Sequence, residues 1–219
     1  MNKIYLILLF LFLFCNKPEQ SIQTNKINLD TINSVKKSVV YISSPKLDRP
    51  NGTGIIIDKE GTVLTCYHVL SGIDDSIEII LEDLKTTKKA TIIKKEEIFD
   101  LVLLKTDFKN DLNPPLWASL EEVEISDRVF MFGTPYGLKG SYLEGYIVAI
   151  DRTNTSLQFP KIPFIQTQGI SFPGNSGGAV FHSSGKIIGI NQSTYGFSTG
   201  NGIGMAIPTG FVKVFLENN

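Results

Sequence analysis

The residues of this chain whose types could do chemistry together are a glycine-framed serine, two histidines and a few carboxylates beside apolar runs. Ser176 lies in the segment SFPGNSGGAV, between Gly174 and the pair Gly177–Gly178. Glycine adopts backbone angles that other residues avoid and lets other atoms approach closely. The frame therefore predicts a sharp turn that displays the Ser176 hydroxyl beside free backbone N–H groups. The alternative is an ordinary Gly/Asn/Ser loop, since these residues also dominate turns for local reasons.

A serine hydroxyl is a weak nucleophile at neutral pH unless a neighbouring base accepts its proton. The chain contains two histidines, so the choice of base is small. His68, in LTCYHVL at the end of a predicted strand, is our candidate, and a half-buried structural histidine is the alternative. His182, in FHSSGK, is expected at the tip of a hairpin in an exposed, structural position.

The candidate acid is Asp100, in IFDLVLLK directly before an aliphatic strand. That position predicts partial burial, and a buried carboxylate needs a partner that compensates its charge. A histidine N–H would supply this and would itself be held in one tautomer. Asp74 and Asp75 are closer to His68 along the chain, but they lie in the polar segment SGIDDS and are expected to be solvated. The hypothesis is therefore a constellation in the chain order His68, Asp100, Ser176.

Short apolar runs separated by Gly or Pro dominate the chain that must position these residues. Such a pattern favours an all-β sandwich or barrel over alternating strands and helices. Residues 34–38 could begin as a helix, and Thr209–Asn219 has helical spacing of its apolar residues. The predicted strands are 39–42, 54–58, 63–66, 76–81, 89–94, 101–105, 128–133, 145–151, 164–167, 178–181, 186–192 and 204–207.

Composition excludes some classes of function. The 219 residues carry a formal net charge of −1 and 42% hydrophobic residues, which is ordinary for a globular protein. Basic residues are scattered, whereas a nucleic-acid partner would require a concentrated basic surface. Two histidines and two cysteines far apart along the chain do not form a metal-ligand set, so no metal and no cofactor is expected.

The N-terminus predicts export. Ile4–Phe14 is apolar throughout, too short for a comfortable membrane span but typical of a signal-peptide core. It ends at Cys15, and LFLFC looks like a loose lipobox, although Phe14 stands where a small residue is usual. We expect residues 1–15 to be a signal ending in a lipidated Cys15, with a simply cleaved signal as the alternative.

Residues 16–33 are mostly polar and predict a tether, so that the folded domain covers 34–219. If Cys15 carries lipid, Cys66 has no disulfide partner and is expected to be buried. The membrane would then be contacted only through the anchor, on the exported side of the cell envelope.

TCYHVL, FDLVLLK and FPGNSGGAV, in this order, resemble the three motifs of trypsin-fold serine proteases, most closely those of the HtrA/Deg branch. FGTPYGLKGS, EGYIVAI, IQTQGIS and GIGMAIP extend the resemblance over residues 32–219. A rival interpretation takes Gly174–Gly178 as the G-x-S-x-G elbow of α/β-hydrolases. It fails because that fold needs the order serine, acid, histidine and a strand–helix setting.

The resemblance implies two six-stranded antiparallel β-barrels, about 34–113 and 116–208, followed by a helix over 209–219. The active site would lie between the barrels. His68 would act as general base and acid, Asp100 would orient it, and Ser176 would attack the peptide carbonyl. The N–H groups of Gly174 and Ser176 would form the oxyanion hole.

The resemblance also suggests what is cut. Ile170, Gly204 and Ala206 would form a small apolar pocket for the residue before the scissile bond, with core packing as the alternative for Ile170. Gln192, Ser193 and Thr194 would pair with an extended protein or peptide substrate through backbone hydrogen bonds.

HtrA proteins usually carry PDZ domains after the protease, and the sequence ends soon after Pro208, so the resemblance is to a protease domain without a PDZ domain. Homo-oligomers are common in that family and are possible here. The alternative function is a catalytically silent trypsin-fold scaffold that binds proteins, and a third interpretation is a protease with one narrow target.

Overall fold

The computed structural model describes residues 26–73, 76–156, 158–195 and 202–218, which fold almost entirely into β-structure. Short 3₁₀ turns connect some of the strands. None of the helices in these ranges is long and apolar enough to cross a membrane. The helices and strands are α1 Leu29–Lys36, β1 Val39–Ser43, β2 Gly52–Ile56, β3 Thr62–Cys66, β4 Ile77–Ile80, β5 Thr87–Glu96, β6 Leu101–Thr106, β7 Arg128–Gly133, β8 Ser141–Arg152, β9 Phe164–Gln168, β10 Ala179–His182, β11 Ile187–Tyr195, β12 Ile203–Pro208 and α2 Thr209–Glu217.

The strands form two closed barrels of six. The first has the order β1-β2-β3-β6-β5-β4 and the second β10-β11-β12-β9-β8-β7, and every pairing is antiparallel. Closing a sheet into a barrel removes its exposed edges and turns one face of each strand inward. The predicted all-β double barrel and the C-terminal helix are confirmed.

Helical structure begins before residue 34, within the stretch predicted to be a tether. Helix α1 begins at Leu29, inside the stretch assigned to the tether, because the Asn28 side chain caps it by accepting a hydrogen bond from the Asp30 N–H at 2.7 Å. Ile27 is buried as well. Residues 1–25 lie outside the described residues, so the signal and the lipidation of Cys15 stay predictions.

The barrel interiors are filled by β-branched and aliphatic side chains. Strands β1, β2 and β3 are buried at every position, since one face lines the barrel and the other is covered by neighbouring structure. Such close packing leaves few voids and holds the ends of the strands in defined places. Two of the candidate site residues, His68 and Asp100, lie next to such strand ends.

Helix α2 ties the end of the chain to the first barrel. Its Val212 and Phe215 are buried, and the ring of Phe211 meets that of Phe99 edge-on with centroids 5.6 Å apart. Aromatic pairs of this geometry contribute about 0.5–1.5 kcal/mol beyond their burial. Because Phe99 precedes Asp100, this contact supports the backbone from which the candidate acid projects.

Candidate active site

His68 and Asp100 form a closely hydrogen-bonded pair at the rim of the first barrel. His68 lies in a short 3₁₀ turn directly after β3, and Asp100 directly precedes β6, the neighbour of β3 in the barrel. His68 Nδ1 lies 2.6 Å from Asp100 Oδ2, and the His68 backbone N–H donates to Oδ1 at 2.9 Å. The side chain of Asp100 is 2% exposed and that of His68 42%, so the far edge of the imidazole faces solvent.

The backbone of Asp100 is held in a conformation that few residues adopt. Its φ is +55°, in the left-handed region where Asp and Asn are the commonest residues after glycine. The Asp100 carbonyl accepts a hydrogen bond from the Tyr67 N–H at 2.9 Å, which ties the strained residue to the chain beside His68. Strain of this kind, about 1–3 kcal/mol, persists only where surrounding contacts enforce it and is common at functional sites.

The turn that carries Ser176 needs its glycines. Gly174 has φ +99°, and a Cβ there would lie 2.1 Å from the Thr134 carbonyl oxygen. Gly177 has φ +82°, and a Cβ there would lie 2.0 Å from Thr65 Oγ1. Both the angles and the space therefore exclude side chains, and the glycine frame is a requirement of the turn rather than ordinary loop composition.

Both barrels hold this turn. From the first barrel, Thr53 donates its backbone N–H to the Ser176 carbonyl and its hydroxyl to the Gly174 carbonyl, each at 2.9 Å. From the second, Asn191 accepts from the Gly177 N–H at 2.7 Å, and the buried Asn175 amide donates to the Ile170 carbonyl at 2.8 Å. The serine turn is thus clamped where the barrels meet.

The N–H groups predicted to form the oxyanion hole have no acceptor among the described residues. The Pro173 carbonyl accepts from the Tyr136 N–H at 2.7 Å. Because the C=O and N–H of a trans peptide point in opposite directions, this bond turns the Gly174 N–H away from Tyr136. Within the part of the chain that the structure describes, the N–H groups of Gly174 and Ser176 are therefore available to donate to a bound oxygen.

Gln192 joins the two halves of the site. Its side-chain amide donates to Asp100 Oδ2 at 2.8 Å, and its backbone carbonyl accepts from the Ser176 hydroxyl at 3.0 Å. No hydrogen bond between Ser176 and His68 is present in the described part of the chain. Gln192 was predicted to pair with substrate through its backbone, and the contact of its side chain was not predicted, because a contact across 92 residues leaves no local signal.

The residues predicted to form the specificity pocket have less apolar surroundings than expected. Ile170 and Ala206 are fully buried. A Cβ on Gly204 would lie 2.5 Å from Thr167 Oγ1, 2.6 Å from the Ser171 Cβ and 3.1 Å from Asn191 Oδ1. These three polar side chains were not in the sequence interpretation.

The predicted substrate-pairing segment lies at the end of β11. Ser193 and Thr194 pair with Met205 and Gly204 of β12, whereas β10 pairs only with Ile187–Ile190. Among the described residues, no strand pairs with the other side of residues 192–194. Within the described ranges, an additional strand could therefore pair with that side.

Three further predictions concerned His182, the pair Asp74 and Asp75, and Cys66. His182 is partly buried rather than exposed, and its Nδ1 lies 2.8 Å from the Ser184 hydroxyl within the β10–β11 turn. Asp74 and Asp75, predicted to be solvated, lie outside the described residues. Cys66 is fully buried and free, as predicted.

Three described residues that were not expected to form a metal-ligand set have ligand atoms close together. Cys66, His68 and Asp100 each place one such atom within 4.8 Å of the other two. Burial raises the pKa of the Cys66 thiol well above its ordinary value, and the nearby Asp100 charge raises it further.

Fold and site geometry define a trypsin-like peptidase domain, and residues 52–190 match the family of that description. The chain belongs to this family. Among its relatives, the magnetosome formation protease MamE of Paramagnetospirillum magneticum is 33% identical over 75% of this chain and 23% of its own length. A probable periplasmic serine endoprotease, DegP-like, of Rickettsia conorii is 31% identical over 87% of this chain and 36% of its own length.

A solved structure of the HtrA-type protease AlgW with a tripeptide superimposes with a TM-score of 0.75. It is 32% identical to this chain, and the match covers 86% of this chain and 60% of that one. The resemblance to the HtrA/Deg branch is therefore confirmed, while the chain spans about a quarter to a third of the two curated relatives above.

Proposed function

We propose that this protein is a serine endopeptidase in which His68, Asp100 and Ser176 form the catalytic triad. The observation that carries the proposal is the continuous hydrogen-bonded set across the barrels, in which Gln192 contacts both the His68-bound Asp100 and Ser176. The family match and the serine protease names of its relatives support the same assignment.

The first step requires a rotation of the serine side chain. The Ser176 hydroxyl leaves the Gln192 carbonyl and points to His68 Nε2, the ring nitrogen that Asp100 does not occupy. Since Asp100 accepts from Nδ1, the neutral ring carries its proton on Nδ1 and a lone pair on Nε2. His68 accepts the Ser176 proton as the oxygen attacks the substrate carbonyl, and it later donates that proton to the leaving amine.

Asp100 stabilises the imidazolium that forms in this step. Its carboxylate accepts hydrogen bonds from the His68 backbone, the His68 ring and Gln192, and together these hold it in a fixed position. The fixed carboxylate also prevents the imidazole from turning its lone pair away from the serine.

The N–H groups of Gly174 and Ser176 stabilise the negative oxygen of the tetrahedral intermediate. Preorganised donors of this kind contribute because they need no rearrangement when the charge develops, and removal of one typically costs about 10²- to 10³-fold in rate. The bond from Tyr136 to the Pro173 carbonyl keeps the first of these donors correctly oriented.

The substrate is an extended segment of a protein or peptide. It adds as a strand to the open side of residues 192–194, so only unfolded or loop-like segments fit. The residue before the cut is small and apolar, such as Ala or Val, as the resemblance of Ile170, Gly204 and Ala206 to the pocket positions of the HtrA/Deg branch suggests. Ile170 and Ala206 are fully buried here, so they belong to the packed core behind that position.

The protein acts on the exported side of a membrane. The predicted signal over residues 1–15 and the periplasmic location in the names of DegP-like relatives support this location. Lipidation of Cys15 is tested by metabolic labelling of the full chain with an alkyne fatty acid. Labelling that persists in Cys15→Ser would contradict the anchor.

A serine-directed fluorophosphonate tests the activity. We expect the wild type to be labelled and Ser176→Ala to remain unlabelled, with His182→Ala as the control that keeps full labelling. A folded wild type that resists labelling under every condition would instead favour the silent scaffold.

Sequencing the cuts in denatured casein tests the substrate assignment. Cuts should follow small apolar residues and avoid Lys, Arg and Glu. Cuts confined to one sequence would favour the narrow-target protease, and cuts after basic residues would contradict the pocket.

A further inference from the structure

We propose that Cys66, His68 and Asp100 form an inhibitory binding site for a thiophilic divalent cation, of which Zn²⁺ is the physiological example. The inhibitory effect rests on the proposed function, because it takes His68 as the catalytic base. The binding itself depends only on the three donors and their positions.

The three side chains supply the donor atoms that Zn²⁺ prefers. A thiolate, an imidazole nitrogen and a carboxylate oxygen bind this ion at about 2.3, 2.0–2.1 and 2.0–2.2 Å. Here one such atom from each residue lies within 4.8 Å of the others. A tetrahedral ion keeps its ligands roughly 3.3–3.7 Å apart, so adjustments of about 1 Å bring the three onto one ion.

The surroundings allow this adjustment on one side. Cys66 is fixed, because it ends strand β3 and its thiol contacts the Asn191 carbonyl at 3.6 Å. Asp100 is fixed by its hydrogen bonds. The His68 side chain is 42% exposed, so the ring can swing outward and admit an ion to the buried thiol behind it.

Binding would transfer protons in a defined way. The Cys66 thiol loses its proton to solvent and forms the metal–sulfur bond, because a coordinating thiol is deprotonated. The imidazole keeps one proton, which moves from Nδ1 to Nε2 as Nδ1 binds the ion. The Asp100 oxygen exchanges its hydrogen bond from His68 for the cation, and one proton is released overall.

This tautomer explains the inhibition. With its proton on Nε2, the ring of His68 has no lone pair directed at Ser176 and cannot accept the serine proton. Binding at Nδ1 therefore stops the reaction even though Ser176 and the two oxyanion donors are untouched.

Cysteine is the decisive residue. His68 and Asp100 alone supply two donors, and their 2.6 Å contact leaves no space for an ion between them. The nearby Cys66 thiol supplies the third donor and makes the site selective for a thiophilic metal. Cys66→Ala removes this donor at a position outside the proposed catalytic machinery.

Titration of peptide hydrolysis with ZnCl₂ tests the site. We expect reversible inhibition of the wild type, relief by EDTA, and a half-inhibitory concentration at least about tenfold higher in Cys66→Ala. Cys66→Ser should resemble Cys66→Ala, and His182→Ala, which removes the other histidine, should resemble the wild type. Equal inhibition of wild type and Cys66→Ala, or protection by His182→Ala, would overturn the proposal.

Cobalt binding separates this inference from the proposed function. The measurement uses Ser176→Ala, because metal binding can be observed without catalytic activity. Co²⁺ should produce a near-ultraviolet thiolate-to-metal charge-transfer band in this variant, and the band should disappear when Cys66→Ala is added. A missing band would overturn the site even in an active enzyme. Loss of hydrolysis by the metal-free wild type would contradict the proposed function, while the band would still establish the site.

Discussion

The two barrels present their parts of the site in different states. In the first barrel, His68 and Asp100 are already joined at 2.6 Å, and the backbone strain at Asp100 is enforced by its neighbours. In the second barrel, the turn around Ser176 is equally well held, but the serine hydroxyl donates to the Gln192 carbonyl. His68 and Asp100 are thus hydrogen-bonded to each other, whereas the Ser176 hydroxyl is hydrogen-bonded to the Gln192 carbonyl.

The two halves of the site, one from each barrel, are held in position by different kinds of interaction. The first half depends on side chains and on a carboxylate that three donors surround, so its geometry is sensitive to charge. The second half depends on backbone angles and close approach at Gly174 and Gly177, so its geometry is sensitive to volume. Charge-altering and volume-altering substitutions should therefore damage different halves.

Loss of the nucleophile or the base should have the largest effect. Ser176→Ala and His68→Ala should each reduce the rate of peptide hydrolysis by about 10⁴- to 10⁶-fold, because the triad acts as a unit. A fluorogenic peptide measures this, with His182→Ala as the matched histidine control. Full activity in either variant would disprove the assignment.

Removing the charge of the acid should cost almost as much. Asp100→Asn keeps the shape of the side chain but favours the wrong His68 tautomer, and we expect a loss of about 10⁴-fold in kcat. The exposed Asp107, paired with Lys88 at 3.5 Å, supplies the control Asp107→Asn. Similar rates for the two variants would argue against a catalytic Asp100.

Adding a side chain to the turn around Ser176 should lower kcat less than removing the charge of Asp100. Gly174→Ala places a Cβ 2.1 Å from the Thr134 carbonyl at φ +99°, which displaces one oxyanion donor. We expect kcat to fall about 10²- to 10³-fold, while the hydrogen bond between His68 and Asp100 stays unchanged. Gly210→Ala, where nothing lies within 4 Å of the new Cβ, is the control and should leave kcat unchanged.

Loss of the hydrogen bond from the Gln192 side chain to Asp100 should lower kcat moderately. A hydrogen bond to a charged group contributes about 1.5–3 kcal/mol, so Gln192→Ala should lower kcat by about tenfold or more. Gln192→Glu replaces the donor with a second carboxylate and should be worse than Gln192→Ala. If both variants keep wild-type kcat, the Gln192 side chain has no positioning role.

Cys66 should affect stability rather than rate, in a pH-dependent manner. Its pKa is raised by burial, so the folded thiol stays protonated where the unfolded thiol, with a pKa of about 8.5, ionises. The unfolded state then binds fewer protons, and stability falls as pH rises above 8.5. Between pH 8 and 9.5 the wild type should lose about 1 kcal/mol more than Cys66→Ala in urea unfolding. Parallel slopes would show that Cys66 ionises equally in both states.

Much of the fold was accessible from local patterns. All twelve predicted strands occur, because short apolar runs bounded by Gly or Pro are typical of barrel strands. Asp100 was correctly preferred to Asp74 and Asp75 as the partner of His68, since its place before an aliphatic strand implied burial. The start of α1 was missed because the cap at Asn28 lies in polar sequence typical of a tether.

The sequence by itself determined which residues could act: two histidines, one glycine-framed serine, and an aspartate that burial forced to find a partner. Only the tertiary structure decided that the Gln192 side chain joins Asp100 and that the Ser176 hydroxyl rests on the Gln192 carbonyl. It also decided that the Cys66 thiol lies within 4.8 Å of ligand atoms of His68 and Asp100. The physical reason is that periodicity and turn chemistry act over a few residues, whereas these contacts depend on how two closed barrels meet.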